Sequence, residues 1–459
     1  MSPIKDLGST GSSNPLSRRT FLSAAGAAAA GLATVPLLAA CSTDAKPAAS
    51  ASAGAGTVSG NKNLIFSTPT DAVATIQLFK NFTSSFQAKN KGSKVSLIEN
   101  GAGSFDQWLQ AHLAAGNAPD VLRITPTQIG PYISNGAMVD ISKYLPKGYE
   151  KDFNPTFWSQ VSPSEDKVFA LPQCVDTTAL FYRKSMISQI GARIPKSPQD
   201  AWSWDEFLTI AAEVKKLTGK YAFSFQWSTG AGYYWLPILY QAGGALAKSD
   251  GKTPTMSTDE GIAALEFTAK WWQQGLISPS NTLQGTVGDD ATNLFTTGQA
   301  GMMINGDFKI TNVAAGNIPN DDWDVTYYFK DKTTASLVGG TLIGVTRDAK
   351  NPEFSAQLAQ YIVNEENMRK FCAETLFLPA RNSLAGSKTK YTTNPDIVQK
   401  FLTQAAAIPK EMYKLQTSAN FAAMNNVLSQ QIPLCFTGQQ TAKETAANID
   451  SGIKAALAY

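Results

Sequence analysis

Histidine is almost missing: the 459 residues contain one, His112. That shuts out most chemistry that leans on an imidazole. A Ser-His-Asp triad would have to use His112, and no G-x-S-x-G turn is present to hold its serine. A zinc site would be short of its usual ligands. His112 lies in SFDQWLQAHL, which has helical spacing, and reads as a partly exposed surface residue. Cysteine is scarce too, at four. Cys174, Cys372 and Cys435 match no metal spacing. Outside the cell a disulfide is permitted, and Cys372–Cys435 is the candidate pair. Three unpaired, buried thiols are the alternative. Charge is sparse and balanced, at 16% of residues with a formal net charge of +3, so nothing attracts nucleic acid or an anionic surface. There is no internal repeat, and no cofactor is called for.

What the chain does have begins at its N-terminus. Ser17 to Cys41 reads SRRTFLSAAGAAAAGLATVPLLAAC. The apolar run is long, but it is mostly alanine interrupted by Gly26, Gly31 and Pro36. Positive charge, a modest apolar core and small residues form the pattern of an export signal. The Arg18–Arg19 pair resembles a twin-arginine address. Leu38-Ala39-Ala40-Cys41 resembles a lipobox, in which the cysteine thiol takes a lipid and the signal, residues 1–40, is removed. More than one acyl chain would then anchor the protein stably. A transmembrane helix, or a cleaved signal without lipid, are the alternatives. Residues 41–61 are rich in Ser, Ala, Gly and Pro and read as a flexible tether. No second long apolar stretch follows.

The remainder is too long for one core and implies two domains. Ser104-x-x-Gln107, Ser203-x-x-Glu206 and Ser257-x-x-Glu260 look like capping boxes, in which each side chain satisfies the other's orphan backbone donor. Apolar residues at helical spacing follow each of them, and Gly219 and Gly275 are plausible stops. Asn351-Pro352 opens another helix. Between the helices lie short β-prone runs at 63–68, 94–100, 120–124, 179–183, 221–225, 301–305 and 342–346. Strand and helix alternate, which predicts α/β layers with helices on the sheet faces. The segment 220–251 is aromatic and glycine-rich, a candidate helix and loop at a cleft.

Several stretches, in order, resemble the family 1 extracellular solute-binding proteins of ABC importers, the maltose-binding-protein-like group. They are GNAPDVLRI (116–124), LPQCVDTTALFYRKSMISQIG (171–191) with PQDAWSWDEF (198–207), LFTTGQAGMMINGDF (294–308), GGTLIGVTRDAKNPEF (339–354), LFLPAR (376–381) and NIDSGIKAAL (448–457). One departure is Asp307-Phe308, where many relatives carry an aromatic residue directly after the glycine. The resemblance implies a two-lobed α/β periplasmic-binding-protein-like fold of type II. Lobe one would be 62–179 with 339–378, and lobe two 180–338 with 379–459. Crossings would lie near 179–183, 338–344 and 378–381, with ligand bound between the lobes and hinge closure around it. It further implies a binding protein rather than an enzyme. This would be a monomer held by lipid on the outer face of the cytoplasmic membrane, handing its cargo to an ABC importer permease.

A neutral sugar is the cargo that this composition suits. Aromatic faces cover its C–H patches, while carboxylates, amides and guanidinium groups take its hydroxyls. The expected ligand contacts are Trp227 and Tyr234 as stacking platforms and Asp71, after the first strand, as a hydroxyl acceptor. Arg123 ends the DVLRI strand. Asp176 and Arg381 are placed at the hinge by the resemblance, and Asn305 and Asp307 follow the GMM strand. Gly339-Gly340 would let backbone donors approach the ligand. Trp202, Trp204, Trp271 and Trp272 read as packing. A polyol phosphate, peptide, polyamine or metal chelate on the same fold is the nearest alternative. A secreted glycosidase, with two carboxylates flanking the bond, or a scaffold without ligand, is further off.

Overall fold

The computed structural model describes residues 60–69, 73–100, 105–162, 166–225, 232–248, 250–279, 290–385, 389–391, 393–405 and 407–457. The signal, Cys41, nearly all of the tether, Asp71, Ser104 and Trp227 lie outside the described residues.

The strands are β1 (Asn63–Pro69), β2 (Lys94–Asn100), β3 (Val121–Ile124), β4 (Ala170–Arg183), β5 (Tyr221–Phe225), β6 (Ala300–Gly306), β7 (Trp323–Thr326), β8 (Val338–Val345) and β9 (Leu378–Pro379). The helices of the first half are α1 (Val73–Lys89), α2 (Phe105–Ala114), α3 (Pro126–Ser134), α4 (Pro155–Trp158), α5 (Lys184–Gln189), α6 (Trp204–Thr218), α7 (Leu236–Gln241) and α8 (Asp259–Gln273). Those of the second half are α9 (Asp290–Thr296), α10 (Ile310–Ala314), α11 (Pro352–Ile362), α12 (Glu365–Thr375), α13 (Pro395–Ala405), α14 (Lys410–Gln416), α15 (Phe421–Phe436) and α16 (Ala442–Leu457).

Helix boundaries follow local chemistry. At α6 both halves of the box form: the Ser203 amide donates to Glu206 Oε2 at 2.9 Å, and the Glu206 amide donates to Ser203 Oγ at 3.1 Å. Gly219 then stops α6 at φ 65°. At α8 the expected box is displaced by one residue. Thr258, not Ser257, caps the helix by accepting from the Gly261 amide. The amides of Met256 and Ser257 are instead held by the Asp450 carboxylate of α16, at 2.8 and 2.9 Å. Asn351 caps α11 as expected, accepting from the Phe354 amide.

The strand order is β2-β1-β3-β8-β4-β6-β5, with β7 and β9 also paired to β4. β1 runs parallel to β2 and β3, while β8 is antiparallel to β3 and β4. The 14 residues of β4 serve two sheets. Residues 170–177 pair with β8, and 178–183 with β6 and β7. The exchange of partners between Thr177 and Thr178 lies just ahead of the expected 179–183. That stretch is the second-sheet half of the strand, and the preceding LPQCVDTT is strand as well.

Two apolar clusters flank this strand. The first gathers Phe66, Phe79, Leu122, Ile343 and Phe371; the second gathers Trp202, Phe207, Phe223, Trp235, Trp271 and Phe329. β4 feeds both, with Val175 and Phe181 in the first and Leu180 and Tyr182 in the second. Cys174, Cys372 and Cys435 are all free and buried. The Cys372–Cys435 pairing is thereby corrected: Cys372 belongs to the first cluster and Cys435 to the second. His112 is half-buried, its Nδ1 2.8 Å from the Trp108 carbonyl oxygen.

Candidate functional site

Register fixes where a ligand would meet the fold. Asp176 of β4 stands opposite Gly339 of β8, and Thr178 stands opposite Gly306, the last residue of β6. The first half of β4 runs in the same direction as β1 and β3, so all three end toward the crossing. β6 and its parallel neighbour β5 run back toward the same crossing from the other side. The carboxyl ends of both parallel sets therefore face one gap, bridged by β4. In open α/β sheets that is where ligands bind. In the chain Asp71 comes after β1 and Trp227 after β5; both lie outside the described residues.

Asp176 sits at the crossing, partly exposed. Two glycines make room for it. A Cβ on Gly339 would lie 2.1 Å from Asp176 Oδ1. Gly340 has φ +124°, and a Cβ there would meet the Cys174 carbonyl oxygen at 2.3 Å. Only glycine fits such a position, and the Gly340 amide donates to the Asp176 carboxylate. Burial pushes the Asp176 carboxyl up to about 7, against the opposing pull of the Arg123 guanidinium and that amide. Asp307 follows β6 and is buried. Its Oδ1 accepts from the Thr177 amide at 2.9 Å, while its Oδ2 has no partner. Burial first, and the Asp176 charge second, hold the Asp307 carboxyl well above its usual range.

The other side of the gap supplies aromatic rings. Tyr233 and Tyr234 are half-buried, with ring centroids 4.7 Å apart. Burial raises the Tyr233 phenol to about 12; a hydrogen bond with Tyr234 lowers it, and the nearby Asp176 charge raises it. Tyr233 thus stands within electrostatic reach of Asp176. α15 holds this turn in place: the Gly232 amide donates to Ser429 Oγ at 3.0 Å and the Tyr233 amide to Asn425 Oδ1 at 2.7 Å. The run Tyr233-Tyr234-Trp235 is the sequence signal for both rings, and nothing local to it separates Tyr233 from its neighbour.

The other expected contacts divide. Arg123 is buried, with its guanidinium 5.4 and 5.7 Å from the Phe79 and Phe371 ring centroids and its Nε donating to Gln173 Oε1 at 3.1 Å. It acts on Asp176 through charge. Asn305 is fully buried; its Oδ1 accepts from the Gly306 amide and its Nδ2 reaches Thr292. Arg381 is committed elsewhere. It donates to Asp152 Oδ2 at 2.7 Å, the Tyr149 hydroxyl at 2.9 Å and the Val363 carbonyl at 2.8 Å, with Phe153 against its plane. Both side chains are thus held by neighbours within the fold. Trp202, Trp204 and Trp271 are buried packing residues, as read, and Trp272 stacks on Phe436 at 4.1 Å. A surface cavity of about 470 Å³ lined by Arg193, Glu206 and Glu213 shares no residue with the Asp176 group.

A family model for the bacterial extracellular solute-binding proteins matches residues 81–406. The chain belongs to that family. The galactooligosaccharide-binding protein of Bacillus subtilis (strain 168) is 24% identical over 352 residues, covering 74% of this chain and 76% of the relative. The maltodextrin-binding protein MdxE of the same organism is 24% identical over 351 residues, covering 74% and 77%. Among solved structures, the GacH receptor of Streptomyces glaucescens superposes with a TM-score of 0.73 at 22% identity, covering 87% of this chain and 99% of that one. The cyclic α-maltosyl-1,6-maltose binding protein of Arthrobacter globiformis gives 0.72 at 19%, covering 87% and 99%. This solute-binding protein accordingly has the two-lobed, type II fold, and the gap bridged by β4 lies between its lobes.

Proposed function

We propose that this solute-binding protein captures a neutral sugar or oligosaccharide between its lobes and delivers it to an ABC importer permease. The observation that carries the reading is the company at the crossing: Asp176, a partly exposed residue on the crossing strand, with the Tyr233 phenol within its electrostatic reach and the Tyr234 ring beside that phenol. A carboxylate takes ring hydroxyls and a phenol ring covers C–H faces, so a polyol fits between them. The relatives' named cargo, galactooligosaccharide and maltodextrin, supports the same chemistry. Asp71, Trp227, Tyr234, Asp307 and Gly340 stay in the proposed site, with Tyr233 added. We move the expected lobe bounds, 62–179 with 339–378 and 180–338 with 379–459, to 62–177 with 338–378 and 178–337 with 379–459, because β4 exchanges partners between Thr177 and Thr178. Closure is a population shift, because only the closed state lets ligand touch both lobes.

A thermal-shift screen with mono-, di- and trisaccharides, followed by calorimetry, tests the assignment. Binding of galacto-oligosaccharide or maltodextrin supports it. Stabilisation by a phosphate, peptide or polyamine alone would redirect it, and release of a shorter sugar would favour a glycosidase.

The lipid anchor belongs to the same proposal. Its support is the Leu38-Ala39-Ala40-Cys41 sequence and the tether behind it. Cys41→Ser is expected to move the protein from the membrane fraction to the soluble one. An unchanged distribution would remove the anchor.

A further inference from the structure

We infer that Gly130 is a positioning residue for lobe closure: it lets the backbone of α3 close directly onto the carbonyls at 417–418. The inference rests on the binding reading only in supposing that the lobes open and close.

α3 leaves the carboxyl end of β3 and packs its Ile129 and Tyr132 into the first apolar cluster. α14 and α15 place Met412, Leu415, Phe421 and Met424 in the second. By the lobe bounds proposed above, α3 belongs to lobe one and α14 and α15 to lobe two, and α3 touches both helices, so this contact joins the two lobes on the side where the gap opens. At its centre a Cβ on residue 130 would stand 2.5 Å from the carbonyl oxygens of both Thr417 and Ser418. Those atoms are backbone and cannot swing aside. Gly130 does not lie in the left-handed region, but it precedes Pro131 inside α3, where a Cβ would also crowd the proline ring. In mid-helix a glycine weakens the helix relative to alanine. The close approach to the 417–418 carbonyls is the second demand on this position, and the one that comes from across the seam.

A second observation at the same seam points to a contact that releases. Gln416 is fully buried, and neither its Oε1 nor its Nε2 has a partner; the Ser418 Oγ is also buried and unpaired. Buried polar groups left unpaired cost free energy that water would recover on opening. The seam therefore fits closely in shape but poorly in hydrogen bonding, which suits a jaw that must reopen.

The test uses the full chain and needs no sugar for its first arm. Amide hydrogen exchange is followed at 127–134 and 417–424, with small-angle scattering for the overall radius. Gly130→Val is expected to speed exchange at 417–424 by about tenfold or more and to enlarge the radius. Gly130→Ala should do the same to a lesser degree; a change confined to 127–134, with 417–424 at wild-type rates, would assign the effect to strain against Pro131 and overturn the inference. Gln416→Leu should act oppositely and slow exchange there. Wild-type rates and radius in both Gly130 variants overturn the inference; should the valine variant fail to fold, wild-type behaviour of Gly130→Ala alone overturns it. In a second arm, maltotetraose and a galacto-oligosaccharide serve as probes, and weaker binding through faster release is expected for Gly130→Ala. If neither probe binds wild-type protein while the first arm behaves as described, the cargo reading fails and the closure inference stands.

Discussion

Asp176 carries the charge chemistry of the gap, and its behaviour with pH is specific. The groups facing it are Arg123 from β3, the Gly340 amide from β8, Asp307 after β6, and Tyr233 from the turn held by α15. Its folded value of about 7 lies above the ordinary 3.8 of an exposed aspartate. The folded state therefore holds the proton more tightly than the unfolded chain. Stability from this group is complete below about 4 and is lost as pH rises through about 7. Asp176→Asn should flatten that slope and stabilise the protein at pH 8 by about 1–3 kcal/mol. Ligand affinity should run the other way: the ionised carboxylate accepts hydroxyl hydrogen bonds, so wild-type affinity rises between pH 5.5 and 8, while Asp176→Asn binds weakly throughout. Urea unfolding and calorimetry at several pH values check both halves. Tyr233→Ala should reduce affinity tenfold or more while Tyr233→Phe, which keeps the ring face, retains most of it; equal loss in both would assign the hydroxyl instead. Asp176 was legible as a position because a known strand pattern surrounds it. The partners of Arg381 were not, because Asp152 and Tyr149 lie 229 and 232 residues away in the chain. No local pattern announces such a partner.

At the scale of elements, the two lobe-two caps make a contrast. Ser203→Ala removes the acceptor for the Glu206 amide and should cost about 1 kcal/mol. Thr258→Ala should cost a similar amount, and Ser257→Ala almost nothing, since the Ser257 amide rather than its hydroxyl is engaged, by Asp450. Denaturant midpoints of the three variants decide the order. If Ser257→Ala were the most damaging, the cap would lie where the sequence box placed it. That box failed for a physical reason: a carboxylate nearly two hundred residues on takes the competing amides. Strand β4 was half-legible for a related reason. Its first half carries Gln173, Asp176 and Thr177, polar residues that look like a loop until their partners are known. Gln173 Oε1 in fact accepts from both Arg123 and Thr341, and the Thr177 amide donates to Asp307. β7 and β9, at four and two residues, are too short to leave any periodicity.

The whole molecule turns on the place where β4 and the start of β8 cross together. Thr177 Oγ1 lies 2.9 Å from Ser336 Oγ and donates to the Leu337 carbonyl at 2.6 Å. Ser336 Oγ donates to the Thr178 carbonyl at 2.5 Å, and the Leu337 amide donates to Thr178 Oγ1 at 3.3 Å. All four residues are buried, so each bond lost leaves a polar group without water. The network staples the two crossing strands at the level where bending must occur. One apolar cluster also takes Phe66 and Ile343 of the first sheet together with Phe181, Met303 and Trp323 of the second, so neither lobe can melt without opening a core that the other shares. Two lobes in a chain of this length would ordinarily unfold separately. Shared possession of β4 predicts one calorimetric transition instead. Ser336→Ala should lower that transition as a unit, by about 1–3 kcal/mol, without splitting it. A ligand at a hundred times its dissociation constant should raise it, by about 2.7 kcal/mol, again without splitting it. Two resolved transitions in wild-type protein, or a ligand that shifts only one of them, would mean that the lobes are joined by the chain but not by its energetics.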